Sequence, residues 1–430
     1  MKQILILGAG ISGLTLGWLL KQRHGNNIKL TILEKNHRAG GWIQTINHEG
    51  FLFEQGPRSC RPGGTGVATL KLIKELGLEK EVILAAPAAK KRYLYYRKQL
   101  HQLPTNPFSM LFSPLMKGVV SALLHEWQTP PSNQEDETIY SFISRRLSPD
   151  IAERLMDPLT SGIYAGDIRQ LSIRSCFPLL HQWEQNHGSL LKGMWKSKKS
   201  KQGSIFSLRR GMETLTQTLA QKLDSHLILN CEVSGIEASS DKILVSTVDG
   251  RQWEADHLYA AIPSQQAYQL GMIKTAIPAT SVAVVNMGWK KNVLKKEGFG
   301  YLIPSSEKEE ILGTVWDSST FPQQNHSTQE TRMTVMIGGT HMKDFNEKKF
   351  DEIALRSLNT HLNITTPPDA INIKIAKKSI PQYQLGHLQK VDDIQREIRA
   401  FSNRVTLLGN SYYGVSVNDC INEATKILST

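Results

Sequence analysis

The sequence has few cysteines, and their arrangement fits neither a metal site nor a disulfide-stapled domain. Cys60, Cys176, Cys231 and Cys420 lie far apart in a chain of 430 residues, with no Cys-x-x-Cys pair and no histidine at zinc-like spacing. A disulfide framework and a metal site are therefore not indicated. Scattered thiols are typical of a reducing compartment, so we expect a cytoplasmic protein.

Long apolar runs are also missing. No segment has the roughly 18 uninterrupted apolar residues of a spanning helix, and the nearest approach, residues 107–124, is interrupted by a proline, a lysine and a glycine. We expect this stretch to lie on a membrane surface or to line an apolar cavity. Lys2 precedes an apolar run, but Gly8 and Gly10 lie where the centre of a signal peptide would be, so the run is interpreted as a first strand.

Recognisable catalytic side-chain sets are absent too: the sequence offers no Ser/His/Asp arrangement and no obvious pair of carboxylates. Composition indicates a soluble globular protein, with 40% hydrophobic and 21% charged residues, and the length favours two or three domains. The net charge of +12 suggests an acidic partner. Nucleic acid, an anionic membrane surface and a carboxylated small molecule all fit that charge.

The first forty residues carry the clearest motif. An apolar strand at residues 4–7 enters a turn with Gly8, Gly10 and Gly13, a helix opens at once, and a second apolar run ends in Glu34. Gly8 permits the tight turn, Gly10 lets backbone N–H groups approach a pyrophosphate, and Gly13 lets the helix pack against the strand. Glu34 can accept hydrogen bonds from a ribose diol. The unit therefore predicts a dinucleotide site.

Two further glycine turns follow this unit. One contains Arg38, Gly40 and Gly41, and the other begins with Gly56 and Pro57. An acid followed by R-x-G-G resembles the second fingerprint of the amine oxidase and protoporphyrinogen oxidase group. This resemblance implies FAD rather than NAD as the cofactor, with the arginine facing the cofactor phosphates.

Two later motifs narrow the resemblance to the protoporphyrinogen oxidase family. A glycine-rich loop at residues 161–167 precedes the string LSIRSCFP at residues 171–178, and the family has closely similar strings. Residues 405–421 are predicted to form a strand, a loop and a helix, with Asn418 and Asp419 as candidate caps. They contain GVSVNDC, again similar to the family. The start of such a helix can face a flavin carbonyl and stabilise negative charge on the reduced ring.

The family resemblance implies an activity. Such an enzyme takes six electrons from protoporphyrinogen IX in three FAD cycles in haem biosynthesis, and O₂ reoxidises the FAD to give H₂O₂. The flavin carries the chemistry, so no catalytic side chain is named. Arg92 matches the family position for a propionate, and Gly162 is the candidate for close approach to the macrocycle. The family often has a tryptophan near Tyr383, so a flavin contact there stays open.

The predicted cofactor site combines the first turn, the ribose acid and its neighbour, the two later turns, one middle strand and the C-terminal loop. Its residues are Gly8, Ala9, Gly10, Ile11, Ser12, Gly13, Glu34, Lys35, Arg38, Gly41, Trp42, Gly56, Pro57, Arg58, Ser59, Val233, Gly409, Val415, Ser416 and Val417.

The predicted fold class is α/β, with a discontinuous, Rossmann-like FAD-binding domain at residues 1–85, 205–263 and 381–430. Residues 264–380 are expected to form a mixed-sheet substrate domain. Residues 86–204 are predicted to be a mainly helical region that contacts substrate and a membrane. Its lysines are either a solvated loop or part of that membrane contact: Lys192, Lys196, Lys198, Lys199 and Lys201.

Alternatives stay open at this point. A coproporphyrinogen III oxidase performs the same chemistry on a tetracarboxylate, which the positive charge mildly favours. An amine oxidase or carotenoid desaturase relative fits the two strings less well, and a non-enzymatic nucleotide-binding protein would bind nucleic acid through its lysines. We expect a porphyrinogen and O₂ as partners, no nucleic acid, a cytoplasmic and peripherally membrane-attached protein, and we leave a homodimer open.

Overall fold

The computed structural model describes residues 1–106, 109–110, 113–197, 203–340, 342 and 349–428. The α-helices are α1 Ile11–His24, α2 Gly66–Glu75, α3 Val119–Gln128, α4 Ile139–Arg146, α5 Pro149–Ile151, α6 Asp157–Tyr164, α7 Ile173–Cys176, α8 Pro178–His187, α9 Leu190–Lys196, α10 Glu213–Lys222, α11 Ser264–Gln269, α12 Asp317–Thr320, α13 Phe350–Leu362, α14 His387–Phe401 and α15 Val417–Ile427.

The strands are β1 Lys2–Leu7, β2 Ile28–Leu33, β3 Thr45–His48, β4 Phe51–Glu54, β5 Val82–Leu84, β6 Tyr93–Tyr96, β7 Gln99–Gln102, β8 Phe206–Leu208, β9 Leu227–Ile228, β10 Val233–Ala238, β11 Ile243–Thr247, β12 Gln252–Ala255, β13 His257–Ala260, β14 Ala279–Trp289, β15 Gly300–Leu302, β16 Ile311–Val315, β17 Thr331–Gly338, β18 Ala370–Pro381 and β19 Val405–Leu407.

A parallel sheet with the order β19-β13-β1-β2-β9 joins the two ends of the chain. Its strand β1 is buried on both faces, which is why its sequence is continuously apolar. Ile4 and Ile6 pack toward α1 and α15, whereas Leu5 and Leu7 pack toward α14. This three-layer arrangement confirms the predicted α/β class and its Rossmann-like domain.

A second, seven-stranded sheet has the order β18-β14-β17-β16-β15-β6-β7. Alternate side chains of β14 pack with α13 on one face, while its opposite face meets the β3-β4 hairpin, where a Cβ on Gly288 would lie 2.6 Å from the ring of Phe51. The hairpin β6-β7 falls in the predicted helical region 86–204, yet β6 pairs in parallel with β15 of this sheet. Such pairing over some two hundred residues leaves no local pattern in the sequence.

Two predicted elements are interrupted. The apolar pattern of residues 227–236 predicts one strand, but Asn230, with a φ of +51°, turns the chain, so that β9 joins the parallel sheet and β10 a separate meander. The helical pattern of residues 151–159 predicts a regular helix, but the structure has a π-helical turn at Ala152–Met156 before α6. Pro158 lies in the first turn of α6 and has no N–H for a regular helical hydrogen bond.

The region between β7 and β8 is mainly helical, as predicted. Its helices pack around an apolar cluster that includes Phe142, Ile173 and Tyr383. No helix in the described ranges is both long and apolar enough to cross a membrane. Parts of two predicted membrane-contacting segments lie outside the described residues, namely 107–108 and 111–112 of the apolar stretch and Lys198, Lys199 and Lys201 of the lysine run.

Candidate active site

The first glycine turn lies at the carboxyl end of β1. Gly8 has a φ of +92°, and a Cβ added to it would lie 2.5 Å from the carbonyl oxygen of Ala261. A Cβ on Gly13 would lie 2.0 Å from the carbonyl oxygen of Gly8. Both positions therefore admit only glycine, the first for its conformation and its space and the second for its space alone.

Gly10, between them, is different, because the space beside it is open. Among the described residues, a Cβ added there would have one neighbour within 4 Å other than its chain neighbours, the Cα of Gly41 at 3.9 Å. In the same part of the structure no side chain caps α1, which begins at Ile11 and continues through the buried Ser12. The open space and the uncapped N–H groups fit a pyrophosphate.

Glu34 is buried at the end of β2, beside this turn. One of its carboxylate oxygens accepts a hydrogen bond from the backbone N–H of Ala9 at 2.9 Å, and the other from the backbone N–H of Asn36 at 2.9 Å. The carbonyl oxygen of Glu34 accepts from the N–H of Cys231, which brings Val233 to the same edge. Lys35 points to solvent. The acid thus lies where a ribose next to the pyrophosphate would be.

The second and third turns pack directly against each other and against the first. A Cβ on Gly41 would lie 3.1 Å from the Cα of Gly10, and one on Gly56 would lie 2.0 Å from the carbonyl oxygen of Trp42. Trp42 itself is 39% exposed. Arg38 turns back on its own loop, donating to the carbonyl of Gly41 at 2.6 Å, so its guanidinium is held by the loop.

Arg58 is the charged residue of the third turn, between the half-buried Pro57 and Ser59. Its side chain is 9% exposed, lies 2.9 Å from Asp317 and donates to the hydroxyl of Thr334 at 2.7 Å. Its second terminal nitrogen, Nη2, is buried and has no hydrogen-bond partner within the described ranges. A buried donor without an acceptor is costly, and an acceptor atom of a bound cofactor would satisfy it.

The C-terminal loop closes the site from the other end of the chain. A Cβ on Gly409, two residues after the end of β19, would lie 3.8 Å from the hydroxyl oxygen of Ser12. The N–H of Gly409 donates to the Glu423 carboxylate at 2.9 Å. Burial raises the pKa of Glu423 to about 7. The two chain ends therefore meet at the start of α1, which sequence alone left as an expectation.

α15 begins within this loop. Its cap is Ser416, whose hydroxyl accepts from the N–H of Asp419 while the Asp419 carboxylate accepts from the N–H of Ser416. Asp419 thus takes part in capping as expected, whereas Asn418 does not. The Asn418 side chain instead accepts from the Thr69 hydroxyl at 2.7 Å. Val415 and Val417 lie on either side of the cap, half-buried and buried.

The substrate side presents an apolar helix face and an arginine. In α6, Leu159, Gly162 and Ile163 share one face by their spacing, and all three are exposed. A Cβ on Gly162 would lie 2.7 Å from the Leu302 side chain. An exposed apolar helix face of this kind fits a flat apolar ligand.

Arg92 lies directly before β6, with its guanidinium 5.1 Å from the ring centroid of Phe299. Partial burial lowers the pKa of Arg92, and the charge of nearby Arg61 lowers this pKa further. No carboxylate in the described ranges forms an ion pair with either arginine. Two neighbouring cations without a counter-ion fit a carboxylated ligand.

The parallel sheet, the glycine turns at its carboxyl edge and the ribose acid define a dinucleotide-binding oxidoreductase fold. The model of the flavin containing amine oxidoreductase family matches residues 11–426. The chain therefore belongs to this family and is a flavin-dependent oxidoreductase. Because the site is built for a dinucleotide, its flavin is FAD.

Individual relatives agree with this assignment. A protoporphyrinogen oxidase of Bos taurus is 37% identical over 472 residues, covering 100% of this chain and 99% of the relative. A coproporphyrinogen III oxidase of Bacillus subtilis is 27% identical, covering 100% and 97%. A crystal structure from Exiguobacterium sp. 255-15 is 24% identical with a TM-score of 0.86, covers 100% of this chain and 98% of that chain, and shows the same fold.

Several site residues were missed from sequence. Leu159 and Ile163 were not placed together because residues 161–167 were expected to form a loop, whereas the helix α6 continues through them to Tyr164. Asp317 and Glu423 reach the site only through tertiary packing, as partners of Arg58 and Gly409. Nothing in their local sequence indicates this role.

Proposed function

We propose that this enzyme oxidises protoporphyrinogen IX to protoporphyrin IX, with O₂ as the electron acceptor and H₂O₂ as the product. The observation that carries the proposal is the 37% identity to protoporphyrinogen oxidases through the whole chain, the substrate region included. The exposed face of α6 supports it, as does Arg92, which forms no ion pair with a carboxylate of the described residues, because the substrate is a flat, largely apolar ring with two propionates.

Each part of the chain has a distinct task in this proposal. When bound, FAD supplies the chemistry by accepting a hydride from the substrate carbon. The N–H groups at the start of α1 would hold its pyrophosphate, and Glu34 would hold its ribose. The face around Gly162 positions the macrocycle, and Arg92 binds a propionate and so fixes the orientation of the ring.

Coproporphyrinogen III is the second candidate substrate. One observation favours it: Arg61 lies close enough to Arg92 to lower its pKa, and a tetracarboxylate would engage both arginines more fully. The Bacillus subtilis relative carries the name of that activity, although at 27% identity. The higher identity to protoporphyrinogen oxidases makes the dicarboxylate our first choice.

The experiment is a comparison of initial rates on the two porphyrinogens, followed by the fluorescence of the porphyrin formed. We expect kcat/KM to be at least about tenfold higher for protoporphyrinogen, which is about 1.4 kcal/mol of discrimination. A preference of that size for coproporphyrinogen would replace the first candidate by the second. Failure to oxidise either compound would exclude both.

Peripheral membrane attachment in the cytoplasm is also proposed. Val120, Leu124 and Trp127 are exposed along α3, and Met194 and Trp195 are exposed on α9. The Lys192 ammonium lies 5.0 Å from the ring centroid of Trp127. Apolar and tryptophan side chains beside lysines are typical of helices that lie on an anionic bilayer.

Flotation with vesicles tests this attachment. We expect the protein to float with vesicles containing anionic lipid, and Leu124→Glu to remain with the soluble fraction. Val248→Glu, at an exposed residue of the β11-β12 turn, is the matched control and should float like the wild type. Equal flotation of both variants would contradict the proposed surface. Whether the protein is a homodimer stays a prediction, checked by light scattering.

A further inference from the structure

One buried tyrosine spans the C-terminal loop. Tyr383 follows β18, is 1% exposed, and its hydroxyl donates to the carbonyl oxygen of Asn410 at 2.6 Å. The same hydroxyl accepts from the N–H of Gly414 at 2.9 Å. A single side chain therefore fixes two backbone groups of the loop, on either side of its bend.

A histidine supports this tyrosine and holds a third point of the loop. His387, the first residue of α14, stacks on the ring of Tyr383 with centroids 3.9 Å apart and planes at 18°. Its Nε2 lies 2.8 Å from the carbonyl oxygen of Tyr412. Burial lowers the pKa of His387 to about 4, so the ring is neutral near pH 7. Because a carbonyl only accepts, Nε2 carries the proton and donates it.

The backbone of Tyr383 is fixed in turn by the LSIRSCFP segment, residues 171–178. The N–H of Ser172 donates to the Tyr383 carbonyl oxygen at 2.8 Å, and the Cys176 thiol lies 3.8 Å from the same oxygen. The two motifs that defined the family resemblance, far apart in sequence, are thus joined through one residue.

We propose that Tyr383 and His387 are positioning residues that hold loop 409–416, and with it the start of α15, at the distance from the flavin that its reduction requires. Both side chains are enclosed by protein and act through the loop. The N–H groups at a helix start stabilise negative charge only over the first turn, so a small displacement of α15 weakens this effect on the reduced flavin.

The inference rests on the proposed function only in that FAD is bound, and its test needs no porphyrinogen. The variant is Tyr383→Phe, which keeps the ring but removes both hydrogen bonds to the loop. The matched control is Tyr164→Phe. Tyr164 is also buried, with its ring 6.0 Å from that of Tyr383, but its hydroxyl donates to the carbonyl oxygen of Cys176 and does not reach the loop.

Two quantities are measured on purified protein: the Kd for FAD, from the flavin fluorescence of reconstituted apoprotein, and the reduction potential of the bound flavin. We expect Tyr383→Phe to weaken FAD binding about tenfold and to lower the potential, because the reduced flavin loses more stabilisation than the oxidised one. Tyr164→Phe should stay within about twofold of the wild type in Kd, with an unchanged potential.

A second pair of variants isolates the hydrogen bond from packing. His387→Leu removes the donor to Tyr412, whereas His387→Gln retains an amide donor at a similar reach from the backbone. We expect His387→Leu to lower the potential and His387→Gln to restore at least part of the loss. Equal effects of the two would mean that packing, not the hydrogen bond, matters, and would remove His387 from the proposal.

A potential and a Kd in Tyr383→Phe equal to those of Tyr164→Phe would overturn the inference. A wild-type protein that holds no FAD would overturn it together with the proposed function. If Tyr383→Phe shows the expected loss of FAD affinity and of potential in an enzyme that oxidises neither porphyrinogen, the inference is supported and the proposed substrate is wrong. The two failures are therefore distinguishable.

Discussion

The cofactor half and the substrate half of the active site differ in the groups that form their surfaces. On the cofactor side, backbone groups and glycines make the surface, as with Gly13, where a Cβ would lie 2.0 Å from the carbonyl oxygen of Gly8. On the substrate side, side chains make it, as with the exposed Leu159 and Ile163 and with Arg92, whose guanidinium lies over the ring of Phe299. The cofactor half is thus fixed by space, whereas the substrate half is defined by groups that still need a partner.

This difference has a physical consequence. A steric requirement is local and absolute, because a Cβ 2.0 Å from a backbone oxygen cannot be relieved by a rotamer change. A charged or apolar group on a surface, by contrast, can be exchanged at the cost of its own interaction alone. Substitutions in the cofactor half should abolish cofactor binding, whereas those in the substrate half should lower substrate affinity by degrees.

The largest expected effect is at the first glycine turn. Gly13→Ala should leave no bound FAD and little folded protein, because it forces β1 and α1 apart. Gly10→Ala should fold with an unchanged Tm as apoprotein, since its Cβ enters open space and its φ of −72° suits alanine. It should nevertheless lose FAD, because we propose that the pyrophosphate occupies that space. Flavin absorbance and thermal unfolding of both variants check this; full FAD content in Gly10→Ala would contradict it.

The next largest effect, on the free energy of unfolding, is expected at Glu54, which lies between the two halves. This residue is fully buried at the end of β4, where its carboxylate accepts from the N–H of Met212 at 2.7 Å and its carbonyl from Asn286 of β14. Burial raises the pKa of Glu54 from 4.5 to about 7. A raised folded-state pKa contributes stability below pH 4.5 that is lost as the pH rises through 7.

We therefore expect the free energy of unfolding of Glu54→Gln to rise relative to that of the wild type between pH 5 and pH 8, by up to about 3 kcal/mol. Urea unfolding at the two pH values measures this. Some pH dependence should remain, because burial also raises the pKa of Glu423 to about 7. An unchanged slope in Glu54→Gln would show that Glu54 does not titrate in this range.

On the substrate side, Arg92→Ala should raise KM for protoporphyrinogen by about 10- to 100-fold, since a hydrogen bond to a charged group contributes about 1.5–3 kcal/mol. FAD content should not change. Arg97→Ala is the control, because Arg97 is an exposed arginine of the same hairpin, placed over Tyr96. Loss of FAD in Arg92→Ala would show that Arg92 supports the structure of the cofactor half and does not bind substrate.

The smallest effect is expected for Gly162→Ala. The atoms nearest to the added methyl group belong to the flexible end of Leu302, so the helix itself should tolerate it. It narrows the space over α6, and kcat/KM for porphyrinogen should fall about tenfold while FAD content and Tm stay constant. Unaltered kinetics would show that the macrocycle does not approach this face.

The same comparison explains what could be predicted from sequence. The first turn could be predicted because its glycines meet local steric requirements. The α/β class follows from the buried strand β1. Tyr383 could not be placed, because its partners Asn410 and Gly414 come from a distant segment of the chain. Whether Arg58 pairs with Asp317 or with phosphate likewise depends on tertiary packing, which the local sequence does not show.

Boundaries failed where one residue changed the backbone. Asn230, with positive φ, splits a strand that looked continuous, and Pro158 follows a π-helical turn where a regular helix was expected. The cap of α15 fell on Ser416 rather than Asn418, because capping depends on which side chain faces the free N–H groups. The domain boundaries and the individual cofactor contacts stay predictions.

The most direct test of the account is an anaerobic titration of the purified protein with protoporphyrinogen, followed by flavin absorbance and porphyrin fluorescence. The account predicts a yellow protein whose flavin absorbance bleaches as porphyrin fluorescence appears, with three flavins bleached for each six-electron substrate. Air should restore the colour. A colourless protein would contradict the cofactor half, and a yellow protein that does not bleach would contradict the substrate half.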